Sequence, residues 1–405
     1  MIILVFNAGS SSLKYKLFDS VDADNMTTLA QGMVEAIGTD HAKLKVDGEF
    51  IDVKAPTTED ALKIVIDTIA GPGKPLSSME EVEAIGHRVA HGGAYFNCST
   101  RIDHDVVELI ESVSHLAPLH NPGAVSVIEY CHQLIPGRLQ VAAFDTAFHQ
   151  TMPERNYVYP IPYRYYEKYG IRRFGFHGMS HKSASRRAAE FLGKNPHDLK
   201  MVTCHIGSGV SLAAIDHGIS MDTTMGYTPL DGVMMGTRSG SVDPAIITAI
   251  MEKENLSVAD MDAILNRESG LLGVSGSTGD LRKLKENVAV GDERAELAYD
   301  IFLTSIRRQI GAYLFELAGV DAIVCTAGVG ENDPYARRLI FRGLEPFGIC
   351  LDEARNMVDN DEDRLISSDD SKVAVLVIPA DEEGEIARDV ALIAAGEDIS
   401  DPYKY

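Results

Sequence analysis

Three kinds of residue in this chain suit work on an anion, and each stands where small residues let the backbone come close. An arginine lies among histidines in His87-Arg88-Val89-Ala90-His91-Gly92-Gly93. Histidines frame Phe176-His177-Gly178-Met179-Ser180-His181, and Met235-Gly236-Thr237-Arg238-Ser239-Gly240 sets an arginine between glycines. A planar guanidinium binds two oxygens of a phosphoryl or carboxylate group once the backbone admits it, although a single arginine more often serves a surface ion pair. Small-residue turns are the second kind. Ala8-Gly9-Ser10-Ser11-Ser12, Gly207-Ser208-Gly209 and Gly328-Val329-Gly330 can offer N–H groups and hydroxyls to phosphates. The P-loop spacing, GxxxxGK followed by Ser or Thr, is absent, which excludes that class of nucleotide enzyme.

Carboxylates are the third kind. Asp145 ends the apolar Val141-Ala142-Ala143 segment, a common place for functional groups in open sheets, where a strand-end cap is the plain alternative. Asp381-Glu382-Glu383 follows a strand-like segment and opens the last helical pattern, so helix-dipole compensation alone explains Glu383 well. A carboxylate from each half converging on one site would hold Mg2+ with its retained waters. The pairs His87/His91 and His177/His181 have the i, i+4 spacing of half a zinc site. No glutamate follows His177 as in HExxH, and Gly178 and Gly92-Gly93 argue against helix, so no zinc is expected.

These residues need a scaffold, and its strands are readable. Ile2 to Phe6 is a continuous apolar run, as in a strand covered on both faces, and Leu13, Tyr15 and Leu17 alternate with Lys14, Lys16 and Asp19. The same strand, turn, strand order returns at Met201 to Ile206, Gly207 to Gly209 and Val210 to Ile215, which points to two related halves. Helical patterns run from Pro122 to Leu134 with Asn121 as cap, from Lys182 to Leu192, from Pro244 to Glu254 and from Glu293 to Ala318. The mixture gives an α/β class. Tyr157 to Tyr169 reads as a passage between halves, and Leu271 to Lys283 as an irregular surface connection.

With 405 residues, 45% apolar content and a formal charge of −23, the chain favours two domains of similar size and excludes broad attraction to nucleic acid or anionic membrane. The five cysteines show no CxxC spacing, which fits reduced thiols and a cytoplasmic setting. Met1 leads directly into the first apolar run, without a leader pattern.

Taken together, the stretches NAGSSSLK, GHRVAHGG, LAPLHNP, FDTAFH, FGFHGMSH, HIGSGVSL, DTTMGYTPLDGVMMGTRSGSVDP, SGLLGVSG, TAGVGEN and IPADEEGEIA resemble the acetate kinase family, in its order and over almost the whole chain. The resemblance implies a duplicated, ribonuclease H-like (actin-like ATPase) fold with two domains around a central cleft. The first would span 1–148 plus 383–405, the acyl and phosphate side completed by the C-terminal helix, and 149–382 would be the nucleotide-binding and dimerisation domain. It implies transfer of the ATP γ-phosphoryl group to acetate, giving acetyl phosphate and ADP, in a homodimer using Mg2+ or Mn2+. By position, Arg88, Arg238, His177 and Asp145 would be catalytic. Ala90, Leu119, Phe176 and Pro229 would wall the acetate methyl beside Arg88. Ser10, Ser12, Lys14, His205, Gly207, Ser208, Gly209, Gly328, Val329, Gly330 and Asn332 would face the nucleotide, and Asn7 with Glu382 would hold the metal.

The chain departs from the family pattern at several places. Ala90 stands for a valine, Ser208 for an asparagine, Met179 for a small polar residue, Ser241 for an aspartate and Asp381 for an asparagine. The first leaves room for one more carbon in the acid, so a propionate or butyrate kinase is the near alternative. A pyrophosphate-using variant ranks lower, because Gly328-Val329 leaves the adenosine pocket open. A heat-shock-type ATP-driven binding protein is the alternative from another class, and it needs a peptide-binding module after the nucleotide domain.

Overall fold

The computed structural model describes residues 1–402; residues 403–405 of the expected first domain lie outside the described residues. The chain divides into two compact units, Met1–Gln150 with Asp381–Tyr405, and Thr151–Ala380. No helix among the described residues is long and apolar enough to cross a membrane.

In the first unit the strands are β1 (Ile2–Ala8), β2 (Leu13–Ser20), β3 (Met26–Glu35), β4 (Lys43–Val46), β5 (Glu49–Asp52), β6 (Ala84–Val89), β7 (Thr100–Arg101) and β8 (Leu139–Phe144). They form one eight-stranded sheet in the order β5-β4-β3-β2-β1-β6-β8-β7. In β1, Ile3, Leu4, Val5 and Phe6 are all buried, as the apolar run requires. Leu13, Tyr15 and Leu17 face the core from β2. The turn between these strands closes with Gly9 N donating to Ser12 O at 2.8 Å.

The second unit carries β9 (Lys200–Ile206), β10 (Val210–Asp216), β11 (Ile219–Thr223), β12 (Ala322–Thr326), β13 (Arg364–Leu365) and β14 (Ala374–Val377), in the order β11-β10-β9-β12-β14-β13. Here β9 pairs antiparallel with β10 and parallel with β12, just as β1 pairs antiparallel with β2 and parallel with β6. The halves therefore repeat one plan: three antiparallel strands, then two parallel ones reached by crossovers.

Helices cover the sheets. In the 24-residue helix Glu293–Glu316, capped by Asp292, Tyr299, Phe302, Ile306, Ile310 and Tyr313 point into the second core. Helix Glu382–Ala394 packs on the first sheet. A Cβ at Gly86 of β6 would lie 2.5 Å from Ile386 Cγ2 and 3.1 Å from Val390 Cγ2, so glycine sets how closely that helix approaches.

Several sequence expectations need correction. Asn121 is the first residue of helix Asn121–Leu134 and not its cap; its buried amide accepts from His91 N at 3.2 Å and donates to His91 O at 2.9 Å. The stretch Tyr157 to Tyr169 lies inside the second unit. It runs from the end of helix Glu154–Tyr157 through helix Arg164–Tyr169, the two tied by contacts of the Tyr157, Tyr163 and Tyr166 rings, with Arg172 3.7 Å over Tyr157. Leu271 to Lys283 is no irregular surface connection. Helix Gly270–Ser275 and the start of helix Leu281–Ala289 occupy it, and Leu271, Leu281 and Leu284 are buried against the core.

Buried histidines make stability depend on pH. The His87 ring, stacked on Phe6, has Nε2 2.7 Å from Gln140 Oε1. His91 Nδ1 accepts from Gly93 N at 2.9 Å. Burial lowers both pKa values to about 4, and lowers His205 likewise. Below its ordinary value near 6.5 the unfolded chain takes up protons that these rings refuse. Stability is therefore full above that pH and falls as pH drops toward 4, by on the order of 3 kcal/mol per ring. Urea unfolding midpoints are expected to decline between pH 6.5 and 4, with a shallower slope in His87→Gln.

Candidate active site

Strand register builds the first cluster. Asn7 on β1 pairs with Lys14 on β2 and with Arg88 on β6, so three polar side chains stand in one row across three adjacent strands. Asp145 follows β8, the next strand, and its N–H is anchored to Val89 O at 3.0 Å. Arg88 meets Asp145 in a two-pronged contact, Nε to Oδ1 at 3.1 Å and Nη2 to Oδ2 at 2.5 Å, and its Nη1 donates to Asn7 Oδ1 at 3.3 Å. Burial opposes the charge on Arg88, but Asp145 outweighs it and holds the pKa above the ordinary arginine value.

Helix Glu382–Ala394 brings the remaining carboxylates to this row. Glu383 is buried and accepts from Lys14 Nζ at 2.8 Å and from Asn7 Nδ2 at 3.4 Å. Glu382 takes part in no hydrogen bond or ion pair among the described residues. Burial and the neighbouring Asp145 charge raise its pKa to about 7, against the pull of Arg88. A carboxylate in that condition fits a cation: the ion would supply the positive charge that Glu382 lacks. No cluster of three or more His, Cys, Asp or Glu suited to a metal occurs among the described residues, so any cation here would be held by few protein ligands. Ser10 and Ser12 lie in the exposed turn after β1, their hydroxyls bonded to no described residue.

The second unit holds another cluster. His177 precedes helix Gly178–Phe191 with φ +57°, a left-handed conformation uncommon for a residue with a Cβ. This helix starts well before Lys182: Gly178 occupies its first position, where the lack of a Cβ costs little. His205, on β9, stacks on His177 with centroids 4.0 Å apart and bonds Ser180 Oγ through Nδ1 at 2.8 Å. Gly209 is hemmed in by both candidate groups. A Cβ there would lie 3.3 Å from His177 Nε2 and 3.6 Å from Arg238 Nη1.

Arg238 is half-buried, contacts Pro229 O at 3.3 Å and Met235 Sδ at 3.7 Å, and pairs with no carboxylate among the described residues. Burial lowers its pKa. An arginine desolvated without a counter-charge is a receptor for an anion.

Beside these groups lies a cavity of about 750 Å³ lined in part by Gly207, Ser208, Leu271, Phe302, Val329 and Asn332. Its size suits a small molecule, and its apolar walls suit a flat ring. Gly328-Val329-Gly330 is not a turn: it lies in helix Ala327–Asn332, whose carbonyls at Gly330 and Glu331 accept from the buried Arg337 at 2.9 and 2.7 Å. Asn332 Nδ2 donates to Gly328 O at 2.9 Å. Of the expected methyl wall, Ala90 is buried and Leu119 exposed in the first unit, while Phe176 is buried and Pro229 half-buried in the second. Sequence reading missed the Lys14 to Glu383 bond, and it missed two cavity residues: Phe302 read only as part of the Glu293 to Ala318 helix, and Lys285 fell outside every assigned pattern.

The chain resembles known proteins over nearly its whole length. The model of the acetokinase family matches residues 2–388. An acetate kinase of Thermoanaerobacterium thermosaccharolyticum is 48% identical over 97% of this chain and 99% of its own. The crystal structure of Porphyromonas gingivalis acetate kinase superposes with a TM-score of 0.92 at 41% identity, covering 97% of this chain and 99% of that one. A propionate kinase from Francisella tularensis gives 0.85 at 37% identity, covering 96% and 98%.

Proposed function

This chain belongs to the acetokinase family, and from that premise we propose that it transfers the γ-phosphoryl group of ATP to acetate, giving acetyl phosphate and ADP. The observation that carries the reading is that Arg238 and His177 close on the same spot at Gly209, a guanidinium paired with no carboxylate among the described residues beside a ring nitrogen.

The chemistry asks for those groups. A simple carboxylic acid titrates near 4, as Asp and Glu do, so the acceptor is already an anion at neutral pH and no general base is required. The barrier lies in bringing anion to anion while charge spreads over a loose transition state, which fixed donors and cations stabilise. Arg238 and His177 serve the transferring phosphoryl group, and Arg88 the acetate carboxylate. Asp145 has both oxygens engaged by Arg88, which supports an orienting role and direct in-line transfer, not a phosphoenzyme. Asn7 and Glu382 would hold a divalent cation, Mg2+ or Mn2+, whose charge, when bound, offsets that of the phosphates. In this reading the cavity beside Val329 receives adenosine, Gly207 to Gly209, His205 and Asn332 serve the phosphates, and Ser10, Ser12 and Lys14 are assigned to phosphate as well.

Two further parts of the reading have support of their own. Helix Pro244–Glu254 carries Ile246, Ile247, Ile250 and Met251 yet buries none of its residues, which suits cover by a second copy in a homodimer. All five cysteines are free thiols, with Cys131, Cys204 and Cys325 buried, in keeping with a cytoplasmic enzyme. A heat-shock-type binding role has no such support, since the family match runs almost from end to end.

Hydroxylamine trapping of acyl phosphate from Mg-ATP with acetate, propionate and butyrate tests the reaction class; no product from any acid would overturn it. Propionate is a real contender because the small, buried Ala90 stands where the family usually has valine. Ala90→Val is expected to lower kcat/KM for propionate relative to acetate about tenfold, the value of one or two methyl groups in such a pocket. An unchanged ratio would place the wall elsewhere.

A further inference from the structure

Behind His177 runs a hydrogen-bond chain that the chemistry above does not use. His177 Nδ1 lies 2.8 Å from Ser211 Oγ, and the same oxygen lies 2.8 Å from His181 Nε2. His181 Nδ1 lies 2.7 Å from Thr203 Oγ1. Ser211 on β10, Thr203 on β9 and His181 are fully buried, so water does not substitute for any of these partners.

Each hydroxyl brings a single proton. Ser211 sits between two ring nitrogens, so it donates to one and accepts from the other. Thr203 Oγ1 has no other hydrogen-bond partner among the described residues, and its proton goes to His181 Nδ1. The remaining protons then run one way. His181 Nε2–H donates to Ser211 Oγ, and Ser211 Oγ–H donates to His177 Nδ1. The His177 proton stands on Nε2, toward Gly209 and Arg238. The reverse polarity strands the Thr203 proton in a dry interior and turns a His177 acceptor, not a donor, toward an anion.

We infer that Thr203, His181 and Ser211 are positioning residues that lock His177 as the neutral Nε2–H tautomer, a fixed donor to an oxygen of the transferring phosphoryl group. The inference rests on the acyl-kinase reading. It also gives the left-handed backbone at His177 a purpose, since that conformation turns the ring so that one nitrogen meets Ser211 while the other meets the site. His205, stacked on the same ring and kept neutral by its burial, adds no repulsion.

Nitrogen NMR of the full chain labelled in its histidines, read beside steady-state kinetics, tests this. Wild-type His177, assigned by its loss in His177→Gln, is expected to show a protonated Nε2 and an unprotonated Nδ1 at neutral pH. Ser211→Ala is expected to mix the two tautomers and to lower kcat about 10- to 100-fold, with both KM values within about twofold. Ser211→Thr, which keeps the hydroxyl, restores the single tautomer and most of kcat. Thr203→Val, of nearly equal volume, gives a smaller change of the same sign and serves if Ser211→Ala does not fold. A wild-type His177 protonated on Nδ1, or hydroxyl-less variants with unchanged tautomer and kcat, overturns the inference. Full activity in His177→Gln would instead remove His177 from the proposed reaction, while the wild-type tautomer still judges the chain.

Discussion

Replacing Arg238 with alanine is expected to lower kcat/KM for acyl phosphate formation on the order of a thousandfold, the scale on which a single arginine stabilises phosphoryl transfer. Stability should stay within about 0.5 kcal/mol of wild type. The contrast between the two effects follows from what Arg238 touches. Its guanidinium meets one carbonyl and one thioether sulfur, and no carboxylate among the described residues, while burial works against its charge. The folded chain gains little from such a group, and only an incoming anion offsets its desolvation. Arg238→Lys should recover little of the lost rate, because an ammonium does not bind two oxygens in one plane. Initial rates by hydroxylamine trapping and urea unfolding of the same samples decide the matter. Activity within tenfold of wild type would mean that Arg238 does not meet the transferring group.

Arg88→Ala is the opposite case, with both activity and stability expected to fall. Asp145 is buried, and Arg88 binds both of its oxygens. Removing the guanidinium leaves a buried carboxylate without a counter-charge, which costs on the order of 3 kcal/mol. Asn7 loses a donor in the same stroke. Adding Asp145→Ala should restore much of the stability, since the stranded charge goes with it, and none of the activity. A thermodynamic cycle over the two single variants and the double variant measures this. Additive losses would show that the pair is not coupled, and acyl phosphate formation surviving in Arg88→Ala would remove it from the acetate site.

What was legible in the sequence was mostly local. Ile3 to Phe6 had to be a covered strand, and the alternation around Leu13 to Leu17 had to pair with it across a turn of small residues. Register is another matter. The row of Lys14, Asn7 and Arg88 depends on how β1 meets β2 and β6, and β6 begins far along the chain. No local pattern encodes which carboxylate of 381–383 meets Lys14, and the one that helix-dipole compensation alone seemed to explain, Glu383, makes the ion pair. Glycines misled for a related reason. Gly178 and Gly328 argue against helix by propensity, yet helices begin at or beside both. In the second case Arg337, six and seven residues further along in the next helix, ties down carbonyls that a weak helix would leave open, a contact that propensity does not register.

The packing of helix Glu382–Ala394 against β1 and β6 bears on how the protein is made. Residues 151–380 are one unbroken segment, and all of it leaves the ribosome before Glu383 can reach Lys14 or Ile386 can cover Gly86. Since compact units fold as units, the half that is translated first is the half completed last. During synthesis the sheet of the first 150 residues waits without the helix that packs against β1 and β6.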